Sequence, residues 1–349
     1  MKSSNGRRRV TGSANSNGRT KRQLTVASFF AGIGGLDLGF QKAGMKILYQ
    51  CEIDEFAFSI LEQHWPEVTR AKDIREVASG KSIRKADLWC AGFPCQDVSL
   101  ARARQRAGLN GRHTVLFFEF ARLLHDARPP MVLLENVPGL LSSHSGRDFG
   151  IILSTLAELG YGVAWRVLDS QYFGVPQSRR RLYIAGYRGD PAKAATLLFE
   201  PECGTRNSKA GSRSRKKSVS PFKEVLGNPR IGPVVQKVGY CLAATSGRHT
   251  GTDWSRTYVT YPDAVRRITP LEGERLQGFP DGWTIPEGMT PREVASLDSP
   301  RYAALGNAVS VPVAEWIGRR CVQTWQGTAE IAATGAKSLR SSAVQLLGL

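Results

Sequence analysis

Short apolar runs recur along residues 24–187 at strand-like length, separated by stretches with helical spacing. Residues 24–30 predict a strand, the glycine-rich Ala31-Gly32-Ile33-Gly34-Gly35 a tight turn, and 36–43 a helix. A strand over 47–51 and a helix over 55–64, stopped near Trp65-Pro66, continue the series. A strand at 87–91, a helix around 115–126, a strand at 131–134 and a helix at 149–159 come next, and strands at 162–168 and 182–187 finish it. Strands alternating with helices imply a largely parallel sheet covered on both faces.

The pattern breaks after about residue 190. Residues 191–265 are rich in Gly, Pro, Ser and Arg, as expected of a functional segment or a separate small domain. Regularity returns over 266–280 and 302–317, and a loose tail is expected from about 331. Residues 1–23 are Ser/Asn/Gly/Arg-rich and read as a disordered basic tail. There is no internal repeat.

The net charge of +18 adds a polyanionic partner to this picture. Residues 1–23 carry seven Lys/Arg and residues 203–220 carry six, neither with an acid, leaving about +5 of the +18 for the rest of the chain. Two solvated stretches would explain this blandly; phosphate contact would give affinity without reading sequence. The six cysteines form no Cys-x-x-Cys pair, which fits a reducing cytoplasm. Ligand-spaced histidines are absent, so no metal site is implied. No apolar run reaches the roughly 18 residues of a membrane span.

Candidate chemistry collects at predicted strand ends. Glu52 closes the second strand, where a carboxylate can accept bonds from both ribose hydroxyls of a nucleoside. Asp73 follows a further helix and could reach an adenine amino group. Asp37, three residues after Gly34, stands where a dinucleotide's pyrophosphate would meet the helix start. Its charge argues for a cationic sulfonium cofactor. Phe93-Pro94-Cys95-Gln96 and Glu135-Asn136-Val137 each follow an apolar run, which brings a thiol and a carboxyl to one rim of the sheet. An isolated cysteine is more often an inert apolar residue, as Cys90 is expected to be. Paired with an acid, Cys95 suits covalent attack on an electron-poor ring.

In order, Phe30 through Gly35, Glu52-Ile53-Asp54, Asp73-Ile74, Gly92 through Gln96, Glu135-Asn136-Val137, Gln177-Ser178-Arg179-Arg180-Arg181, Arg267 through Pro280 and Gly306-Asn307-Ala308-Val309 resemble the DNA cytosine-5 methyltransferases of bacterial or phage modification type. The resemblance covers about two-thirds of the chain. It implies an α/β, Rossmann-like S-adenosylmethionine-dependent methyltransferase sheet with a smaller target-recognition domain. The expected organisation is a catalytic and cofactor-binding domain over 24–190, target recognition over 191–295, a return to the catalytic domain over 296–330 and a flexible tail over 331–349.

The same resemblance assigns roles. Cys95 would be the nucleophile and Glu135 the acid on the cytosine ring, with Arg179 and Arg181 holding the base and the catalytic carboxylate. Phe30, Gly32, Gly34, Gly35, Glu52, Ile53, Asp73, Ile74, Pro94, Leu116, Asn307 and Val309 would surround S-adenosyl-L-methionine. Two departures from the family pattern stand out. Arg102, Arg104 and Arg106 follow the nucleophile where glycines are more usual, and His113-Thr114-Val115-Leu116 replaces an Arg-Gly-x-Leu pattern. Gln96, Ser99, Arg102, Arg104, Thr245, Arg248, Arg256 and Tyr258 are the expected DNA contacts. Alternation along an extended stretch turns Arg180 away from its neighbours.

The partner is double-stranded DNA, whose target cytosine must leave the stack to meet a thiol. The protein is expected to be a cytoplasmic, nucleoid-associated monomer, with a cognate restriction endonuclease acting at the same site. A nicotinamide dehydrogenase, a transfer-RNA methyltransferase of the same fold and a catalytically dead DNA-binding module are the competing readings. Binding of labelled S-adenosylmethionine, assays on duplex DNA against transfer RNA, and methyl transfer itself separate them.

Overall fold

The computed structural model describes residues 22–83, 85–94, 115–200, 238–246, 257–261 and 265–327. Its centre is a seven-stranded sheet of β1 (Thr25–Phe29), β2 (Lys46–Cys51), β3 (Thr69–Ala71), β4 (Leu88–Ala91), β5 (Met131–Asn136), β6 (Tyr161–Asp169) and β7 (Arg180–Arg188). The spatial order is β3-β2-β1-β4-β5-β7-β6. Neighbours from β3 through β5 run parallel, and β7 is antiparallel to both β5 and β6. The order reverses between β1 and β4, so a crevice opens beyond the carboxyl ends of these strands, where α/β sheets bind ligands.

The sheet is buried on both faces because its strands are apolar at successive positions. Leu88 and Cys90 of β4 and Met131 and Leu133 of β5 face one core. Trp89 and Ala91, with Val132 and Leu134, face the other. Helices α1 (Gly35–Lys42) and α2 (Glu55–His64) cover the first face, joined by a helix described over 311–327. Helices α3 (Val115–Ala127) and α4 (Arg147–Glu158) cover the second. Asp54 caps α2 by accepting from Ala57 N at 2.8 Å, which fixes where the chain turns after β2.

Several local findings depart from the sequence pattern. β3 is only three residues long and carries no clear alternation. Helix α5 (Pro191–Leu198), capped by Asp190, packs Ala194, Leu197 and Leu198 into the sheet core. The sheet layer therefore runs past the break expected at residue 190. Arg22 and Gln23 are also part of the folded body: Arg22 pairs with Asp87 and lies 5.8 Å from the Trp325 ring, and Gln23 donates to Gly44 O.

Beyond the sheet, β8 (Tyr258–Thr260) and β9 (Val265–Arg267) form an antiparallel pair. Helices α6 (Pro270–Gln277), α7 (Pro291–Ser296) and α8 (Asp298–Asn307) follow. Leu242, Val259, Ile268 and Leu276 make a small separate core there. The segment after α6 returns to the sheet, where Trp283 Nε1 donates to Ile33 O at 2.9 Å and its ring stacks on His64.

Candidate active site

At the carboxyl ends of β1, β2, β4 and β5 lies a cavity of about 300 Å³. Its floor begins at Phe30, which takes a left-handed φ of 53° directly after β1. That conformation is uncommon outside glycine and marks a constrained turn. Ala31 N donates to Cys51 O at 3.1 Å, tying the turn to the end of β2.

Glu52 stands next in that wall. Its Oε2 accepts from Gly32 N at 2.7 Å and its Oε1 from Asp54 N at 2.8 Å. The carboxylate is thus fixed by backbone donors while keeping further lone pairs for a ligand. Burial raises its pKa, and the two backbone donors pull it back. Ile53 beside it also lines the cavity and is 60% exposed. An apolar surface held open in a cavity wall suits a flat base lying against it. Asp73 caps a 3-10 turn through Arg75 N at 2.9 Å, and the Arg75 guanidinium holds its carboxyl below the ordinary range. Ile74, Pro94, Leu116 and Asn307 line the same cavity. A nucleoside carrying a short charged arm fits this donor set and volume.

Three cofactor residues expected from sequence have other work. A Cβ on Gly34, whose φ is 82°, would come within 2.5 Å of the Trp65 ring. A Cβ on Gly35 would come within 2.4 Å of Val309 O. Gly34, Gly35 and Val309 pack the turn against α2 and the 309 backbone and do not line the cavity. Asp37 is corrected as well. It is fully buried, accepts from Ser28 Oγ at 3.0 Å and Gln50 Nε2 at 2.9 Å, and its pKa is pushed up to about 6 by desolvation. It faces the core rather than a ligand, so its charge does not select the cofactor.

The opposite wall carries the acid. Glu135, at the end of β5, is 8% exposed, and burial lifts its pKa despite Arg181 and Arg179. Arg181 Nε lies 3.1 Å from Glu135 Oε1. Arg179 also makes contacts that carry no signal in the sequence. Its Nη1 donates to Cys241 Sγ at 3.2 Å and Leu242 O at 2.9 Å, and its Nη2 to Gly306 O at 2.9 Å and Ala308 O at 2.7 Å. Its Nε is buried without a hydrogen-bond partner in a residue that lines the cavity. Arg180 is exposed, as strand alternation requires.

Cys95 lies outside the described residues, as do Gln96, Ser99, Arg102, Arg104, Arg248 and Arg256. The residue before the thiol, Pro94, is in the cavity wall, and Asn136 Nδ2 donates to Phe93 O at 3.3 Å. Asn136 therefore joins the β5 end to the stretch leading into Cys95, a link with no signal in the sequence. Thr245 is exposed in a turn, and Tyr258 is half-buried opposite Arg267. Pro300, Ala303 and Ala304 of α8 also line the cavity. Sequence reasoning missed them because small apolar residues carry no chemical signature.

The comparisons with known proteins agree with this geometry. Residues 24–228 and 202–323 match the family described as C-5 cytosine-specific DNA methylase. The Type II methyltransferase M2.BsuMI of Bacillus subtilis (strain 168) is 32% identical over 86% of this chain and 76% of its own length. The Type II methyltransferase M.NgoBI of Neisseria gonorrhoeae is 34% identical over 84% of this chain and 91% of its own length. Among solved structures, the Entamoeba histolytica methyltransferase EhMeth aligns with a TM-score of 0.61 at 20% identity, covering 86% of this chain and 98% of that one. A crystal structure of Spodoptera frugiperda DNMT2, a mutant form, gives 0.63 at 18%, covering 85% and 99%. These two likenesses extend to the fold alone. With a crevice at the sheet's reversal, a buried acid held by an arginine, and a family match across most of its length, this chain belongs to the C-5 cytosine-specific DNA methylases.

Proposed function

We propose that this DNA cytosine-5 methyltransferase works through Cys95, Glu135 and Arg181 on a cytosine extruded from a short specific duplex sequence. The observation that carries the reading is the Glu135–Arg181 pair sharing one cavity with Glu52. S-adenosylmethionine, when bound, supplies the electrophilic methyl group that carbon 5 takes up. Glu52, Ile53 and Asp73 are the residues suited to hold its adenosine.

Cys95, as thiolate, forms a bond to carbon 6 and pushes an electron pair into the ring. That pair makes carbon 5 nucleophilic and loads negative charge on ring nitrogen 3. Glu135, whose pKa burial raises, is the acid placed to donate a proton there. Arg181 fixes the carboxyl's orientation with a planar guanidinium. The buried Nε–H of Arg179 is a donor suited to the base's oxygen. Water then takes the carbon 5 proton and Glu135 takes back the nitrogen 3 proton, so the electron pair restores the ring and Cys95 leaves as thiolate.

Extrusion of the base costs about a few kcal/mol, which DNA contacts outside the cavity must offset. Residues 191–295 would supply recognition, with Thr245, Arg248, Arg256 and Tyr258 among the contacts. Gln96, Ser99, Arg102 and Arg104 would grip the strand beside the nucleophile. One chain is taken as the acting unit. The relatives' Type II naming supports a cognate restriction endonuclease at the same site. The reading puts the enzyme with its DNA substrate in the cytoplasm, at the nucleoid.

The test is chemical. Methylation mapping in expressing cells first identifies the site. Duplex carrying 5-fluorocytosine there, given with methyl donor, should trap a denaturant-resistant adduct at Cys95, because fluorine blocks the final elimination. No adduct at a mapped site sinks the mechanism.

A further inference from the structure

The 238–246 segment is fastened to the sheet body by buried side chains that also hold the cofactor turn. Gly239 bridges Gln177 as a parallel partner, with Gly239 N on Pro176 O at 2.8 Å and Ser178 N on Gly239 O at 2.9 Å. Gln177 is fully buried, and its amide works in two directions. Its Oε1 accepts from Leu242 N at 2.8 Å, and its Nε2 donates to Leu276 O at 3.0 Å and more weakly to Gln277 Oε1 at 3.3 Å. Gln277, also fully buried, donates to Leu305 O at 2.8 Å and accepts from Ser310 Oγ at 2.7 Å. Arg179 closes the circuit by donating to Leu242 O on one side and to Gly306 O and Ala308 O on the other.

No compliant side chain separates the two segments. A Cβ on Gly306 would come within 2.2 Å of both Ala243 C and Ala244 N, so backbone rests on backbone. A close-packed contact of this kind transmits displacement instead of absorbing it. Asn307, which lines the cofactor cavity, is the next residue.

We infer that Gln177 is a positioning residue that couples the two binding events: by tying Leu242 to Gln277, which in turn holds the backbone on either side of Asn307 through Leu305 O and Ala308 O, it makes DNA engagement tighten cofactor binding. The inference rests on reading residues 238–261 as part of target recognition. Contact of either ligand with its own segment is passed through this rigid joint to the other. Linkage makes the effect reciprocal. Neither amide end of Gln177 can flip without setting oxygen against carbonyl and nitrogen against N–H, which gives the joint a single arrangement.

The experiment is calorimetric titration of S-adenosylhomocysteine into the full chain. It is done on the free protein, on protein saturated with duplex carrying the mapped target, and on protein with duplex lacking it. Target duplex should tighten binding about tenfold in the wild type, within the roughly 5–150-fold usual for coupled sites. Gln177→Met should leave affinity in the free protein within about twofold and cut the tightening to less than about twofold. A merely structural role would weaken binding equally with and without DNA, and that result overturns the inference. So does wild-type tightening in the variant, or no tightening in the wild type. If thermal melting shows Gln177→Met to be unfolded, Ser310→Ala carries the test. It removes only the hydroxyl that orients Gln277, and a fully retained wild-type ratio overturns the inference. Failure of the recognition reading appears separately, as wild-type protein that does not prefer target duplex.

Discussion

Arg181 Nε sits 3.1 Å from Glu135 Oε1, reaching it from β7 where that strand runs antiparallel beside β5. The pair opposes two effects: burial favours the neutral acid, and the guanidinium favours the carboxylate. With the protonated form as the working form, kcat should fall as pH rises through the elevated Glu135 pKa. Arg181→Gln removes a charge that lowers this pKa, so the alkaline limb of the pH profile should move to higher pH while kcat drops. A limb that stays put would separate Glu135 from the titration. Glu135→Gln should cost about 10²-fold or more in kcat.

Asp37 gives a stability prediction. Its pKa is raised from the ordinary 3.8 to about 6, so the folded state holds a proton that the unfolded chain gives up. The stability it contributes is fully present below the unfolded pKa and is lost as pH rises towards 6. The shift corresponds to roughly 3 kcal/mol. Urea melts of wild type and Asp37→Asn at pH 4 and pH 7 should show the variant gaining on the wild type by that order. A constant difference across this range would place the Asp37 pKa near its ordinary value.

The two backbone bonds to Glu52 predict a specific cofactor defect. Glu52→Gln turns one accepting oxygen into a donor facing Gly32 N or Asp54 N. A charged hydrogen bond is worth about 1.5–3 kcal/mol, so cofactor affinity should fall about 10- to 100-fold. Duplex affinity without cofactor should hold. Titration of S-adenosylhomocysteine into both proteins reads the change directly.

For the basic N-terminus, the cut belongs after residue 21, because Arg22 pairs with Asp87 in the folded body. Removing residues 1–21 deletes six Lys/Arg. The slope of log affinity against log salt should become shallower, by at most about 5 if all six touch phosphate. Site choice should not change. An identical slope would show that the tail makes no phosphate contacts.

Cys95→Ser should abolish methyl transfer while retaining duplex binding in a gel-shift titration. Near-normal turnover would remove the thiol from the mechanism.

Most of the central elements, though not β3 or α5, and the chemistry at the strand ends are legible in the residues alone. α2 falls at Glu55–His64 as the spacing predicts, and Glu52 and Glu135 close their strands as expected. Such features are legible because strand and helix periods, caps and strand-end motifs are local. Tertiary structure alone decided the partners. Asp37 turned inward because Ser28 and Gln50 are there to receive it. Arg179 and Arg181 are two residues apart, yet Arg181 pairs with Glu135 while Arg179 spans 127 residues to reach Gly306. The glycines at 35 and 306 are required by backbones that arrive from elsewhere in the chain. A hydrogen bond's energy depends on which group lies within about 3 Å, and across such separations only the folded chain sets that distance.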